Sequence, residues 1–235
     1  MSLVSPPRQL MFPEVKSTYN AIRGCLYDCV YCYAREIALN MQRRRIERYW
    51  KGFDPSFFPP DVGPNKVFSN GLVMISSMGD PMGPWVPDRH ITAVFRVVAR
   101  SPKAEFLCLT KNPCRFQHLP FEPIPNAILG ATIETNRTLP EGMTLAPPPG
   151  LRAHALMKLR REWRRFVSIE PIMDFDLDVL VPWIRAIGPE FVYIGYDNHG
   201  YGLPEPPADK VMELVEALGQ FTEVRLKNME RRKKR

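Results

Sequence analysis

The sequence predicts an α/β fold with a parallel sheet and helical crossovers, and three observations predict it. Short continuous apolar runs, such as residues 72–76 (LVMIS), 166–170 (FVSIE) and 191–195 (FVYIG), recur along the chain; runs of this kind mark strands buried on both faces. Segments of helical period and propensity lie between them, and strand alternating with helix gives parallel strands joined by right-handed crossovers. About six or seven such units fit into the 235 residues, too few for a closed eight-stranded barrel.

Residues 15–22 (VKSTYNAI) read as a first strand that delivers the chain to a cysteine-rich loop. Residues 34–50 favour a helix, with Ile37, Met41, Ile46 and Tyr49 at near-helical spacing. A proline-rich loop leads to the strand at 72–76, and Asp88 is placed as the N-cap of a helix ending at Arg100. Residues 105–110 (EFLCLT) and 127–134 (AILGATIE) are strands. The segment 117–125 between them is too short and proline-rich for a full helix, so one crossover is irregular. Residues 150–163 form a helix of high propensity, and 166–170 a strand ended by Pro171. A helix at 176–187 tolerates Pro182, near its start or at a break. Strand 191–195, helix 208–218 and strand 223–227 complete the series.

The chain is expected to be a single domain over 1–235, with a basic tail at 228–235. A hydrophobic fraction of 45% argues against disorder. No apolar run is long enough for a bilayer, and the N-terminal residues lack the layout of a signal peptide, so a cytoplasmic protein without membrane contact is expected. The 25 prolines cluster between periodic segments, which makes them stiff connectors. The net charge is +7, with basic groups at Arg43, Arg44, Arg45 and Arg48, at 158–165 and at 231–235. Such groups attract a polyanion such as DNA or RNA, but a solvated helix face and a frayed tail account for them equally well.

The chemistry concentrates in Gly24-Cys25-Leu26-Tyr27-Asp28-Cys29-Val30-Tyr31-Cys32-Tyr33, where three of the five cysteines are spaced C-x3-C-x2-C. Three thiolates can hold three irons of a 4Fe–4S cubane and leave the fourth iron open. A structural zinc would need a remote fourth ligand, and isolated cysteines are often small buried hydrophobes. Disulfides are not expected with an odd cysteine count and no secretory layout. Ligands of parallel α/β folds bind at the carboxyl ends of the strands. Those ends carry Ser76-Ser77-Met78-Gly79-Asp80-Pro81, Thr110-Lys111-Asn112, Glu134-Thr135-Asn136, Glu170-Pro171 and Tyr196-Asp197-Asn198-His199. Cys108 is read as core and Cys114 as incidental, or as a loop thiol near the site.

The cysteine loop resembles that of the radical S-adenosylmethionine (SAM) superfamily, C-x3-C-x-Φ-C with Φ aromatic, and Tyr31 stands at Φ. That resemblance implies a partial (β/α)6-type barrel in which Cys25, Cys29 and Cys32 hold a 4Fe–4S cluster and SAM binds its open iron. It further implies cleavage of SAM to a 5′-deoxyadenosyl radical that abstracts hydrogen from a substrate, and a flavodoxin- or ferredoxin-like electron donor. Met78-Gly79-Asp80-Pro81 resembles the family's Gly-Gly-Glu-Pro element, which gives Ser77, Gly79 and Asp80 a part in binding SAM. By position Lys111 would pair with the SAM carboxylate, Glu134 would accept ribose hydroxyls, Glu170 would face the same mouth, and Tyr31 and Tyr33 would pack beside the adenine.

A closer resemblance, carried by residues 24–35, 75–87, 106–113, 129–136 and 166–171, is to the phage Gp37/Gp68-type radical SAM proteins (the DUF5131 group), which are distantly similar to spore photoproduct lyase. The chain departs from that group's Gly-Gly-Glu-Ser element with Gly195-Tyr196-Asp197-Asn198. The resemblance and the basic surface together suggest a nucleic acid or nucleotide substrate, against a small metabolite or peptide. Two readings of other classes stand beside it: a non-catalytic metal- or cluster-containing nucleic-acid-binding protein, and an electron-transfer protein with a fully ligated cluster.

Overall fold

The computed structural model describes residues 12–197 and 199–227. The basic tail and Asn198 lie outside these residues, as do positions 1–11. The strands are β1 (Val15–Tyr19), β2 (Ile22–Arg23), β3 (Ser56–Phe57), β4 (Gly71–Ile75), β5 (Ala104–Thr110), β6 (Ala127–Thr132), β7 (Arg164–Ile169), β8 (Phe191–Gly195) and β9 (Glu223–Lys227). The helices are α1 (Tyr33–Arg43), α2 (Asp88–Ala99), α3 (Pro149–Met157), α4 (Leu177–Ile187) and α5 (Ala208–Gly219). Seven strands pair in the order β1-β4-β5-β6-β7-β8-β9, every pair parallel. The sheet curls into a half-barrel with helical crossovers, the α/β partial barrel expected from the sequence.

Alternation along the central strands explains why their sequences are largely apolar. In β5, Phe106 and Cys108 join the core that includes the helices, while Leu107 and Leu109 turn to the other face. In β8, Val192 and Ile194 make the same division with Phe191 and Tyr193. The second face is filled by Phe12, Val15, Ile128, Phe166, Phe191 and Tyr193, with the Phe12 and Tyr193 rings stacked at 3.8 Å. In the central strands both faces therefore exclude water, whereas the edge strands β1 and β9 are only partly buried.

The first expected strand divides. Its main part ends at Tyr19, and Ile22–Arg23 leaves the sheet to pair antiparallel with Ser56–Phe57. That departure lifts the cysteine loop above the strand ends. The helix expected over 34–50 stops at Arg43, because Arg45 adopts a left-handed φ of 56° and a 3-10 turn, Glu47–Tyr49, follows. The helix expected to reach residue 163 ends at Met157. Pro87, not Asp88, is the N-cap of α2, and Asp88 instead ion-pairs with Arg115. Pro182 lies inside α4, and the irregular crossover is a 3-10 helix, Pro113–His118. Among the described residues no helix is long and apolar enough to cross a membrane.

Candidate active site

The carboxyl ends of the parallel strands open into a cavity of about 390 Å³. Backbone alone joins the cysteine loop to the end of β4: the Gly24 N–H donates to the Met78 carbonyl (2.9 Å) and the Asp80 N–H to the Gly24 carbonyl (3.3 Å). This approach admits no side chain. A Cβ on Gly79 would meet the Gly24 nitrogen at 2.7 Å, and one on Gly24 (φ +80°) would meet the Asp54 carbonyl oxygen at 2.3 Å.

Cys25, Cys29 and Cys32 all line the cavity as free thiols. The Cys25 and Cys29 sulfurs each have a hydrogen-bonding neighbour. The Tyr27 N–H points at the Cys25 Sγ (3.5 Å), and the Thr144 Oγ1 lies 3.1 Å from the Cys29 Sγ. Cys32 is the N-cap residue of α1, and its side chain makes no capping hydrogen bond. Burial pushes the Cys25 thiol up, and the Asp80 carboxylate and the two other loop thiols push it further. Burial raises the Cys32 thiol as well. A cationic centre bound beside the Cys25 and Cys32 thiols would offset this resistance to their ionisation.

Among the described residues no three His, Cys, Asp or Glu side chains gather as a single-ion site. Tetrahedral zinc, with Zn–S bonds of about 2.3 Å, needs sulfurs roughly 3.8 Å apart. Three thiols that line one cavity can hold three irons of a cubane and leave its fourth corner unligated. Cys108 is buried within β5 and Cys114 is exposed on the following 3-10 helix; neither lines the cavity.

Asp80 is buried, and its carboxylate accepts from the Thr110 hydroxyl (2.6 Å), the Lys111 N–H (2.8 Å) and the Met82 N–H (2.9 Å). It thus pins the end of β4 to the end of β5. Lys111 lines the cavity, with its Nζ 5.1 Å from the centroid of the Tyr31 ring. Glu134 is fully buried and not part of the cavity wall. One of its oxygens accepts from the Tyr31 hydroxyl (2.6 Å) and the Lys111 ammonium; the other accepts from the Arg152 Nη1 (2.6 Å). Burial opposes its ionisation, yet the Arg152 and Lys111 cations hold its pKa at about 2.

Glu170 also lines the cavity and pairs with Lys227 (2.7 Å); among the described residues the Glu170 Oε2 has no hydrogen-bond partner. Burial raises the Glu170 carboxyl, and Lys227 opposes the rise. The Tyr33 hydroxyl donates to the Ser77 carbonyl (2.8 Å), and the Ser77 hydroxyl meets the Asn20 Oδ1 (3.2 Å). The loop after β8 lines the cavity as well. The Asp197 carboxylate accepts the N–H groups of His199, Gly200 and Tyr201, and the Tyr201 hydroxyl reaches Glu36 of α1 (2.9 Å).

The family model described as DUF5131, a protein of unknown function, matches residues 13–188. The chain belongs to the DUF5131 family. No curated protein matches it at a significant level. Among solved structures, this DUF5131 chain is similar to spore photoproduct lyase complexed with dinucleoside spore photoproduct. That match has 12% identity and a TM-score of 0.57, covering 94% of this chain and 81% of the other. A doubly substituted spore photoproduct lyase with bound AdoMet and dinucleoside spore photoproduct matches at 11% identity and a TM-score of 0.52, covering 92% and 65% of the two chains. At these identities the likeness is one of fold.

The DUF5131 structure brings Cys25, Cys29, Cys32, Tyr31, Tyr33, Ser77, Gly79, Asp80, Lys111 and Glu170 to one cavity. Glu134 lies behind that wall and acts on it through Tyr31 and Lys111. Sequence reading missed Arg152, which is completely buried on α3. It also missed Thr144 and Lys227. An arginine in a helix normally faces solvent, and Thr144 lies in a proline-flanked loop without periodicity, so neither carried a signal.

Proposed function

We propose that this protein is a radical SAM enzyme, and that among DUF5131 members it is of the phage type. The observation that carries the reading is the set of three loop thiols opening on one cavity at the strand ends, where no other cysteine of the described residues joins them. In this reading Cys25, Cys29 and Cys32 hold a 4Fe–4S cluster. That cluster, with SAM, supplies a 5′-deoxyadenosyl radical able to remove hydrogen from a bound substrate. The protein's own groups bind, orient and shield. The backbone around Gly79 offers carbonyls to an amino group, and Asp80 fixes that backbone by tying it to Thr110 and Lys111. Lys111 presents an ammonium to a carboxylate, while Glu134 fixes that ammonium and the Tyr31 ring in place. Tyr27, Tyr31, Tyr33, Phe53 and Tyr196 wall the cavity and limit its water.

The substrate we favour is a nucleic acid or nucleotide. Exposed Arg43, Arg44, Arg45 and Arg48 near the end of α1 support this, as do the dinucleoside ligands named for the spore photoproduct lyase structures. Affinity for DNA or RNA that falls steeply with added salt is expected; absence of binding at low salt removes this substrate class in favour of a metabolite or peptide. A flavodoxin- or ferredoxin-like donor would supply the electron. The test of the cofactor is anaerobic reconstitution followed by iron and sulfide analysis. About four irons and four sulfides per chain are expected, falling sharply in Cys25→Ala and Cys32→Ala. One zinc and no iron would overturn the reading and favour a non-catalytic metal protein.

A further inference from the structure

Among the three loop sulfurs, that of Cys29 has a side-chain hydroxyl as its hydrogen-bonding neighbour. The Cys25 sulfur is approached by the backbone N–H of Tyr27 (3.5 Å). Cys29 is buried, and its sulfur lies 3.1 Å from the hydroxyl oxygen of Thr144, 115 positions along the chain. A strap following β6 delivers this hydroxyl. It is fastened on both sides of Thr144: the Val30 N–H donates to the Met143 carbonyl (3.0 Å), and the Leu145 N–H donates to the Tyr27 carbonyl (2.7 Å). The Thr144 oxygen also accepts the Ala146 N–H (3.1 Å), so three contacts fix its position independently of the sulfur.

The proton of this hydroxyl has two acceptors. With Cys29 as a thiol, the sulfur donates to Thr144, and Thr144 donates to the Tyr27 carbonyl (3.1 Å). As a metal-bound thiolate Cys29 has no proton to give and becomes an acceptor. The Tyr27 carbonyl keeps the Leu145 N–H, so the Thr144 proton can turn to the sulfur without leaving a buried acceptor empty.

We propose that Thr144 is a positioning residue that donates its hydroxyl hydrogen bond to the Cys29 thiolate and thereby raises the reduction potential of the group held by the loop. This rests on the cluster reading above. A donor to a ligand sulfur favours whichever state places more negative charge there, which is the one-electron-reduced state. A threonine hydroxyl therefore eases entry of the electron, and the strap that carries it links this control to the loop between β6 and α3.

The experiment is an anaerobic dithionite titration of reconstituted protein, followed by electron paramagnetic resonance, on wild type, Thr144→Val, Thr144→Ser and Thr144→Ala. Valine keeps the shape and removes the donor. Thr144→Val is expected to lower the reduced-to-oxidised ratio at a fixed potential about fivefold, or about 40 mV at 59 mV per tenfold for one electron. Thr144→Ser should restore the wild-type midpoint. An unchanged midpoint in iron-replete Thr144→Val overturns the proposal and leaves the cluster reading intact. If Thr144→Val fails to hold iron, Thr144→Ala takes the same measurement. Loss of iron in valine and alanine with retention in serine supports the hydroxyl–sulfur bond. Loss in all three makes Thr144 a packing residue and overturns the proposal. Wild-type protein that takes up no iron removes the cluster reading, and this proposal with it.

Discussion

Glu134 is completely buried yet ionised, because Arg152 and Lys111 each bring a cation to one of its oxygens. Its pKa of about 2 lies below the ordinary 4.5, so its charge contributes stability that is fully present above about pH 4.5. That contribution disappears as pH falls towards about 2. Glu134→Gln is expected to flatten the acid limb of a stability–pH curve in that window, measured by denaturant unfolding; an unaltered slope contradicts the assignment. Arg152→Met removes one partner of a buried pair and should destabilise the fold by about 3–5 kcal/mol. The cysteines were legible in the sequence because their spacing is local. The Glu134–Arg152 pair was not, because it joins the end of β6 to a helix face, and nothing in residues 150–157 marks that face as buried around a charge.

At the level of elements, the strands were legible and the helix ends were not. β8 has the bounds that its apolar run predicts, since burial on both faces of a parallel sheet leaves a continuous signal; the edge strand β9 also has the expected bounds, though it is only partly buried. α1 and α3 stop early because a left-handed Arg45 and a non-helical turn after Lys158 intervene, and helix propensity does not register either. The departure of β2 from the sheet was equally invisible, since it depends on pairing with Ser56–Phe57, more than thirty residues away. The joint between the cysteine loop and the end of β4 is the element most exposed to test. Gly79→Ala places a Cβ against backbone that has no room to yield. It is expected to cost about 1–3 kcal/mol and to reduce iron retained after reconstitution. Full iron loading with an unchanged melting temperature would show that the close approach is not needed.

At the level of the whole molecule, the half-barrel separates support from chemistry. Apolar side chains fill both faces of the sheet, and the charged and sulfur-bearing groups gather where the strands end. Sequence reading anticipated that division, since it follows from the parallel architecture itself. It did not anticipate how the cavity is enclosed. The strap carrying Thr144 is bonded to the cysteine loop, and Tyr201 is tied to both Asp197 and Glu36. These loops have no periodic pattern, so their positions depend on tertiary hydrogen bonds. The measurement that bears most directly on the central claim is mass-spectrometric detection of 5′-deoxyadenosine from iron-loaded protein given SAM and dithionite without oxygen. The account predicts steady release by wild type and none by Cys29→Ala. Iron-replete wild type that leaves SAM uncleaved, or Cys29→Ala that cleaves it at the wild-type rate, would contradict it.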